Sequence, residues 1–399
     1  MNLRRFAYCI VSFLYAGGAL SSSGDAPAPY QWQIPAWLPP PLVPTDNPIT
    51  NEKVELGRHL FYEKRLSKDG SISCATCHDQ KFGFSDRRNV AVGYDGTVGK
   101  RNSMALANVA YLPVLTWANP NLRSLEVQAL IPLFSETPVE MGMGGHEKLM
   151  FARLENDPSY KAMFQRAFPK EDVQISLLTV TRALASFQRT LISANSPYDR
   201  YKYGGDSHAI SKSAKRGEEL FFSHRLECYH CHSGFNFTDN IVHSRSRFKE
   251  VGFHNNGLYN LDDKGSYPPG HIGLIEFTGD SRHMGAFRTP SLRNVQVTGP
   301  YMHDGSLRSI DAVLRHYSRG GTVHRRGPYA GDGAKNPNKD PLIVGPKLSA
   351  VELADLKAFL ATLTDQDFLK NPRFSNPWTI GPNAKPEDRK AKFYNEVGQ

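Results

Sequence analysis

Two copies of the pattern Cys-x-x-Cys-His carry the most distinctive chemistry of this chain. They are Cys74-Ala-Thr-Cys77-His78 and Cys228-Tyr-His-Cys231-His232. This spacing lets two thiols add to the two vinyl groups of one haem, and it places the adjacent histidine under the iron as an axial ligand. Every cysteine except Cys9 belongs to one of the two copies. The sequence therefore predicts two covalently bound c-type haems.

A four-cysteine zinc ribbon is the alternative for the same residues. It would leave His78 and His232 without a role, and the two cysteine pairs lie far apart in the chain for one small metal site. The haem interpretation explains all six side chains, so we prefer it.

The beginning of the chain has the pattern of an export signal. Arg4 and Arg5 precede an apolar run from Phe6 to Leu20, and small polar residues follow. We predict a cleaved signal peptide over residues 1–23, with an uncleaved membrane anchor as the alternative. The apolar run is short for a bilayer span, and no later segment is long and apolar enough. Because covalent haem attachment takes place outside the bacterial cytoplasm, the predicted location is the periplasm.

The formal net charge of +9 favours some partners over others. A modest positive surplus suits docking to an acidic protein through electrostatic steering. Nucleic acid is not a predicted partner, because no stretch dense in lysine and arginine is interleaved with aromatic residues.

A weak internal repeat indicates how the two motifs are positioned. Residues Glu55–Phe61 and Arg216–Phe222 share a glycine followed by a Leu-Phe pair, and each precedes its motif by a few residues. Such a repeat is typical of two cytochrome c-type helical domains, each with one covalent c-type haem. The predicted division is a signal peptide over 1–23, a proline-rich strap over 24–50, a first haem domain over 51–200, a second over 201–370 and a tail over 371–399.

Helix signals dominate the rest of the chain. Asp157-Pro158 opens a helix over 159–168, because aspartate is a good N-cap and proline suits the first helical position. An apolar stripe with helical spacing runs through residues 172–193. Ser349 and Glu352 form a capping box that opens a helix over 351–363. Strand-like alternation is scarce, so the predicted fold class is mainly α.

Several further segments resemble a known family in matching order. They are Arg101-Asn102-Ser-Met-Ala-Leu, Thr137-Pro-Val-Glu140-Met-Gly, Pro290-Ser-Leu-Arg-Asn294 and Thr298-Gly-Pro300-Tyr-Met-His303-Asp-Gly305. From Val54 to Leu363 the chain resembles the bacterial diheme cytochrome c peroxidase superfamily, and it looks closest to the MauG- and MbnH-like branch. The resemblance implies a diheme oxidoreductase that uses hydrogen peroxide to form a high-valent diheme state. This state would oxidise a protein partner by long-range electron transfer.

The resemblance also implies roles for single residues. His78 would hold the peroxide-reactive haem and His232 the electron-storing haem. Glu140 would be the acid-base group, Gln128 would orient the peroxide, and Trp117 would relay electrons between the haems. Taken alone, these three residues have ordinary alternatives: a surface carboxylate, a helix-surface amide and a core tryptophan.

Two departures separate the chain from peroxide scavengers of the same superfamily. Scavengers commonly carry a histidine after the first motif, whereas Phe82 to Gly99 contains none and Tyr94 stands in the matching stretch. The first iron is therefore expected to be open. Scavengers typically use a methionine on the second haem, whereas Tyr317 falls where MauG-like proteins place an axial tyrosine. Rival ligands are His316, Met302 and Met284.

A calcium ion between the two domains is also implied by the resemblance. Asn102 would supply a side-chain oxygen, and Thr298 and Pro300 would supply backbone carbonyls, which are the hard donors that calcium prefers. A turn-forming asparagine and a tight proline loop are the alternative.

Two other functions stay open. A scavenging cytochrome c peroxidase would take electrons from a small cytochrome c or a cupredoxin, whereas the MauG-like reading requires a protein that undergoes oxidative modification. A pure diheme electron carrier would keep both irons closed by two protein ligands.

Overall fold

Helices form most of the regular structure in the computed structural model, which describes residues 28–378. The α-helices are α1 Asn51–Phe61, α2 Cys74–Cys77, α3 Leu125–Gln128, α4 Leu130–Phe134, α5 Glu147–Glu155, α6 Pro158–Ala167, α7 Leu177–Arg189, α8 Pro197–Lys202, α9 Lys212–Phe221, α10 Cys228–Cys231, α11 Ile275–Thr278, α12 Ile310–Ser318, α13 Ala350–Ala361 and α14 Gln366–Lys370. Short 3-10 helices span Lys64–Leu66, Gln80–Phe82, Val109–Tyr111, Ser281–His283 and Gly333–Lys335.

Strands are few and short among the described residues. β1 Phe253–His254 pairs antiparallel with β2 Phe287–Arg288, and β3 Val323–His324 pairs in the same way with β4 Gly331–Asp332. The expectation of a mainly α fold is therefore confirmed.

Local capping explains where the predicted helices begin. Asp157 accepts a hydrogen bond from the Ser159 backbone N–H at the start of α6, and Ser349 and Glu352 form the expected capping box of α13. Helix α7 is shorter than the apolar stripe suggested. A capping box between Ser176 and Thr179 sets its first turn, so residues 172–176 lie outside the helix.

Two helix pairs cross at the glycines of the internal repeat. A Cβ atom added to Gly57 in α1 would lie 1.9 Å from the carbonyl oxygen of Ala183 in α7. A Cβ atom added to Gly217 in α9 would lie 2.0 Å from the carbonyl oxygen of Asp355 in α13. Each helix pair can approach this closely only where the side chain is a hydrogen atom. The repeat seen in the sequence therefore corresponds to a repeated helix crossing.

Each crossing is surrounded by its own hydrophobic core. The first core includes Leu60 from α1 and Phe187 from α7, and the second includes Phe221 from α9 and Phe359 from α13. Helix α14 returns to the first core, where the Phe368 ring lies 5.6 Å from that of Phe84. Helices α1 and α14, which are far apart in the sequence, thus contribute to the same core.

The proline-rich strap is ordered where the structure describes it, from residue 28 to residue 50. Its Pro39 carbonyl accepts a hydrogen bond from the Tyr111 hydroxyl at 2.8 Å, and its Trp37 ring stacks on Tyr203 at 4.1 Å. The predicted signal peptide and most of the tail, residues 379–399, lie outside the described residues. Within residues 28–378, no helix has the length and apolar character needed to cross a membrane.

Replacing Gly217 with alanine is expected to destabilise the protein, because the new methyl group would collide with the backbone of α13. Alanine would gain ~1 kcal/mol in helix propensity. Separating the two helices is expected to cost more, lowering the free energy of unfolding by ~1–3 kcal/mol overall. Chemical denaturation of the haem-loaded protein measures this, with Glu219→Ala on the exposed face of α9 as the control. Equal stability of the two variants would contradict the proposed constraint.

Candidate functional site

Each Cys-x-x-Cys-His motif forms a single helical turn. In α2 the His78 backbone N–H donates to the Cys74 carbonyl at 3.0 Å, and in α10 the His232 N–H donates to the Cys228 carbonyl at 2.9 Å. The turn places both thiols and the imidazole of a motif within one short segment. The two motifs therefore have the same local geometry.

A second hydrogen bond orients each imidazole. The Nδ1 atom of His78 bonds to the Phe84 carbonyl at 2.9 Å, and Nδ1 of His232 bonds to the Phe237 carbonyl at 3.0 Å. Both phenylalanines are buried and have positive φ angles, 60° and 51°. Burial lowers the pKa of both histidines, which favours the neutral imidazole. Nε2 is then the nitrogen left to ligate a metal, as in a haem site.

The first motif faces a cavity of about 390 Å³. The cavity brings together the predicted site residues of the N-terminal half, which are Cys74, Cys77, His78, Trp117, Gln128 and Glu140. Among the described residues, His78 is the only histidine in its lining. Met104 and Met141 also line the cavity and contribute the thioether sulfur atoms there.

Glu140 is the acid-base candidate in this cavity. The carboxyl group is half-buried, and burial raises its pKa above that of an ordinary glutamate. Its charge is also close enough to raise the pKa values of the thiols of Cys74 and Cys77. The carboxyl group therefore faces the motif across the cavity in a poorly solvated environment.

The loop after the first motif holds the Glu140 backbone. The Tyr94 N–H donates to the Glu140 carbonyl at 2.8 Å, and a Cβ atom on Gly93 would lie 2.2 Å from the Val139 carbonyl oxygen. The Tyr94 ring covers Gly142, whose added Cβ would lie 2.2 Å from it. Tyr94 does not line the cavity. Its position suggests packing rather than ligation of a metal.

A largely buried ion pair holds Glu126, two residues before Gln128 in α3. Both carboxylate oxygens of Glu126 bond to the Arg189 guanidinium, at 2.7 and 2.9 Å. Burial acts to raise the pKa of Glu126, but the hydrogen bonds from Arg189 outweigh it and bring the value to about 2. The paired carboxylate anchors α3, and Gln128 is the last residue of that helix.

The second motif faces a separate cavity of about 240 Å³. Tyr317 lines it from α12, together with Met302, whereas His316 and Met284 do not. The His316 Nδ1 atom instead pairs with the Thr322 hydroxyl at 2.8 Å. Burial raises the pKa of Tyr317, the nearby thiols act in the same direction, and a hydrogen bond from Asn256 opposes them. Of the rival ligands, only Met302 shares this cavity with Tyr317.

Trp117 lines both cavities. Its indole N–H donates to the Asn102 carbonyl at 2.8 Å, and its own carbonyl accepts from the Arg288 backbone N–H at 2.8 Å. Asn102, Ser103 and Met104 also line both cavities. These four residues form a shared wall between the two cavities.

The three residues expected to bind calcium also meet at the second cavity, which Asn102, Thr298 and Pro300 all line. The Asn102 amide nitrogen donates to the carbonyls of Arg88 and Asn89 at 3.2 and 3.1 Å, leaving its side-chain oxygen as an acceptor. Neutral oxygen donors of this kind fit a calcium ion that keeps some of its water.

The structure adds polar residues that sequence reasoning did not identify. Asn256 donates to the Met302 sulfur at 3.3 Å. His254 lies between the carboxylates of Asp239 and Asp340, each at 2.6 Å. Burial acts to lower the pKa of His254, but the two carboxylates raise it to about 12, so it carries a positive charge. No spacing signal links them to their partners, because Asp239, Met302 and Asp340 lie at least 15 residues away from His254 or Asn256 in the chain.

Comparison with known proteins identifies relatives over most of the chain. The family described as Di-haem cytochrome c peroxidase matches residues 51–208. "Methylamine utilization protein MauG" of Methylorubrum extorquens is 38% identical over 80% of this chain and 80% of its own length. "Cytochrome-c peroxidase IdrP1" of Pseudomonas sp. is 35% identical over 91% of this chain and 94% of its own length.

A solved structure resembles the fold closely. It is described as a MauG-like protein associated with microbial copper homeostasis, and it is 45% identical with a TM-score of 0.85. The match covers 88% of this chain and 99% of that one.

Proposed function

The chain belongs to the diheme cytochrome c peroxidase and MauG family, and from that premise we propose that it oxidises a protein partner with hydrogen peroxide as the oxidant. Membership makes it a diheme peroxidase-superfamily oxidoreductase. The observation that carries the MauG-like assignment is the difference between the cavities. Within residues 28–378, the first cavity is lined by one histidine, His78, whereas the second is lined by the motif histidine His232 and by the phenol of Tyr317.

The residues fit two c-type haems. Cys74, Cys77 and His78 would hold the first, and Cys228, Cys231 and His232 the second with Tyr317 as the further ligand. Each histidine has Nδ1 engaged by a carbonyl, which leaves Nε2 for iron. When bound, the two haems supply the two-electron reduction of hydrogen peroxide and the storage of oxidising equivalents.

Glu140 moves protons at the first cavity. Its carboxylate takes a proton from hydrogen peroxide and delivers it to the oxygen that leaves as water, a role that suits a carboxyl group with a raised pKa. Gln128, on the last turn of α3, donates a hydrogen bond that orients the peroxide. Trp117 connects the cavities, because its indole borders both and provides an aromatic path for electrons.

Several broader expectations form part of the same proposal. The two haem domains span residues 51–200 and 201–370. Calcium binds at Asn102, Thr298 and Pro300. An export signal directs the protein to the periplasm. The partner is a periplasmic protein that undergoes oxidative modification. Because the MauG-like structural relative is associated with microbial copper homeostasis, we extend that setting to this chain.

A scavenging peroxidase is the second candidate, supported by the relative named cytochrome-c peroxidase IdrP1. Steady-state turnover with a reduced small cytochrome c or a cupredoxin separates the two roles. The scavenger turns over rapidly with such a donor, whereas a protein-modifying enzyme does so slowly.

Stoichiometric peroxide added to the fully oxidised protein is expected to give a persistent two-electron-oxidised form. The reason is that His78 has no second histidine beside it in the first cavity to close an iron, and Tyr317 would stabilise the oxidised form of a haem in the second. Stopped-flow absorption and electron paramagnetic resonance follow the reaction. A protein that reacts only after reduction would be a scavenger, and one that never reacts would be an electron carrier.

Glu140→Gln is expected to slow the reaction with peroxide by ~10²–10⁴, the usual contribution of a positioned acid-base group. In the wild type the rate should fall as pH falls through the raised Glu140 pKa, because protonation removes the base. The rate should begin to fall at a higher pH than it would with a glutamate of ordinary pKa. The Glu140→Gln variant should not show this pH dependence. Exposed Glu136→Gln is the control. An unchanged rate for Glu140→Gln would rule out this role.

Tyr317→Met is expected to raise the reduction potential of the second haem, because a thioether favours reduced iron relative to a phenolate. The oxidised form produced by peroxide should then decay faster. The control is Tyr301→Phe, which changes another tyrosine of the same cavity whose hydroxyl donates to the Val295 carbonyl. If the potential and spectrum stay as in the wild type, another residue such as Met302 is the ligand.

A further inference from the structure

Two buried arginines line the second cavity, and only one has a counter-ion. Arg293 bonds to the Asp199 carboxylate at 2.5 Å, and both side chains are almost completely buried. Arg288 is 2% exposed and lines the same cavity. Among the described residues, no carboxylate lies within ion-pair distance of it. The contrast identifies Arg288 as an unpaired buried cation.

The hydrogen bonds of Arg288 do not complete its requirements. Nε donates to the Thr116 carbonyl at 3.0 Å, Nη1 to the Thr289 carbonyl at 3.2 Å and Nη2 to the Met104 sulfur at 3.1 Å. A guanidinium has five N–H groups, so two remain. The acid that acts on it most strongly is Asp239, and that carboxylate is already bound to His254. A buried guanidinium with two free N–H groups and no counter-ion would be stabilised by an anion in the cavity.

A second polar atom in the same cavity is also without a partner. The Nε2 atom of His303 is buried and makes no hydrogen bond. Its ring stacks on Phe287, the residue before Arg288, with the ring centres 3.7 Å apart. His303 also lines the second cavity. The Arg288 guanidinium and the unbonded Nε2 atom of His303 therefore both border one small cavity.

We propose that Arg288 and His303 bind a carboxylate of the haem attached at Cys228 and Cys231, which rests on the haem binding proposed above. A haem c carries two propionate carboxylates at the edge opposite its thioether bonds, so an anion reaches the cavity interior when the motif is loaded. The guanidinium pairs with a carboxylate through two parallel N–H groups, the number that Arg288 has left.

Arg288 also contacts the shared wall between the cavities. The Arg288 backbone N–H donates to the Trp117 carbonyl, and its side chain donates to the preceding Thr116 carbonyl. Arg288 is therefore a positioning residue for Trp117 as well as a ligand of the haem carboxylate. Its positive charge stabilises the reduced second haem relative to the oxidised one.

The test compares Arg288→Gln with the control Arg282→Gln, which removes an exposed arginine paired with Asp280. Haem content of each loaded protein is measured first, and the two midpoint potentials follow by spectroelectrochemical titration. Arg288→Gln is expected to lower the potential of the second haem. A tenfold change in its oxidised-to-reduced ratio at fixed potential corresponds to about 59 mV. The control should leave both potentials unchanged.

Resonance Raman scattering provides the second measurement through the propionate bending band. If Arg288→Gln does not assemble with haem, Arg288→Lys is used instead. Lysine keeps the charge but cannot offer two parallel N–H donors, so the propionate band should still shift. An unshifted band, an unchanged second potential, or a change confined to the first haem would overturn the proposal. A wild-type protein without two haems would instead refute the function proposed above.

Discussion

The close crossing of two helix pairs is the constraint on which the rest of the structure depends. At Gly57 and again at Gly217, a backbone carbonyl occupies the space where any other residue would have its Cβ atom. The crossing fixes how closely α1 packs on α7 and α9 on α13, and α1 and α9 each precede one Cys-x-x-Cys-His turn in the chain. Each motif histidine bonds to the carbonyl of a buried phenylalanine, Phe84 or Phe237. The same helix crossing and the same histidine contact thus occur in both halves.

The two cavities differ in electrostatics despite this common frame. The first contains the Glu140 carboxyl group, whose pKa is raised by burial, and it is also lined by Lys100 and by the ion pair of Arg101 and Glu276. The second is bordered by a charged His254 held by two carboxylates, by unpaired Arg288 and by the phenol of Tyr317. A group that gains and loses a proton easily suits peroxide chemistry, whereas fixed charges suit the storage of charge. The proposed division of labour follows from this difference.

The sequence predicted the parts of the site that depend on local spacing. The haem motifs, the capped starts of α6 and α13 and the repeat around Gly57 and Gly217 are all short-range patterns. The gathering of Trp117, Gln128 and Glu140 around one cavity was predicted only through family resemblance. The isolation of Arg288 was not predictable, because it depends on which acids lie nearby in space. Composition gives the net charge of +9 but not which charged side chains meet in the folded chain.

The shared wall is where these features act together. Trp117 is held on one side by the Asn102 carbonyl and on the other by the Arg288 backbone, and both of those residues border the second cavity. An indole anchored at its ring nitrogen and at its carbonyl has little freedom to move. A displacement of Arg288 by a bound carboxylate would therefore be transmitted to Trp117 rather than absorbed by a flexible loop. Arg288 would thus couple haem binding in the second cavity to the position of Trp117, which lies on the proposed electron path between the cavities.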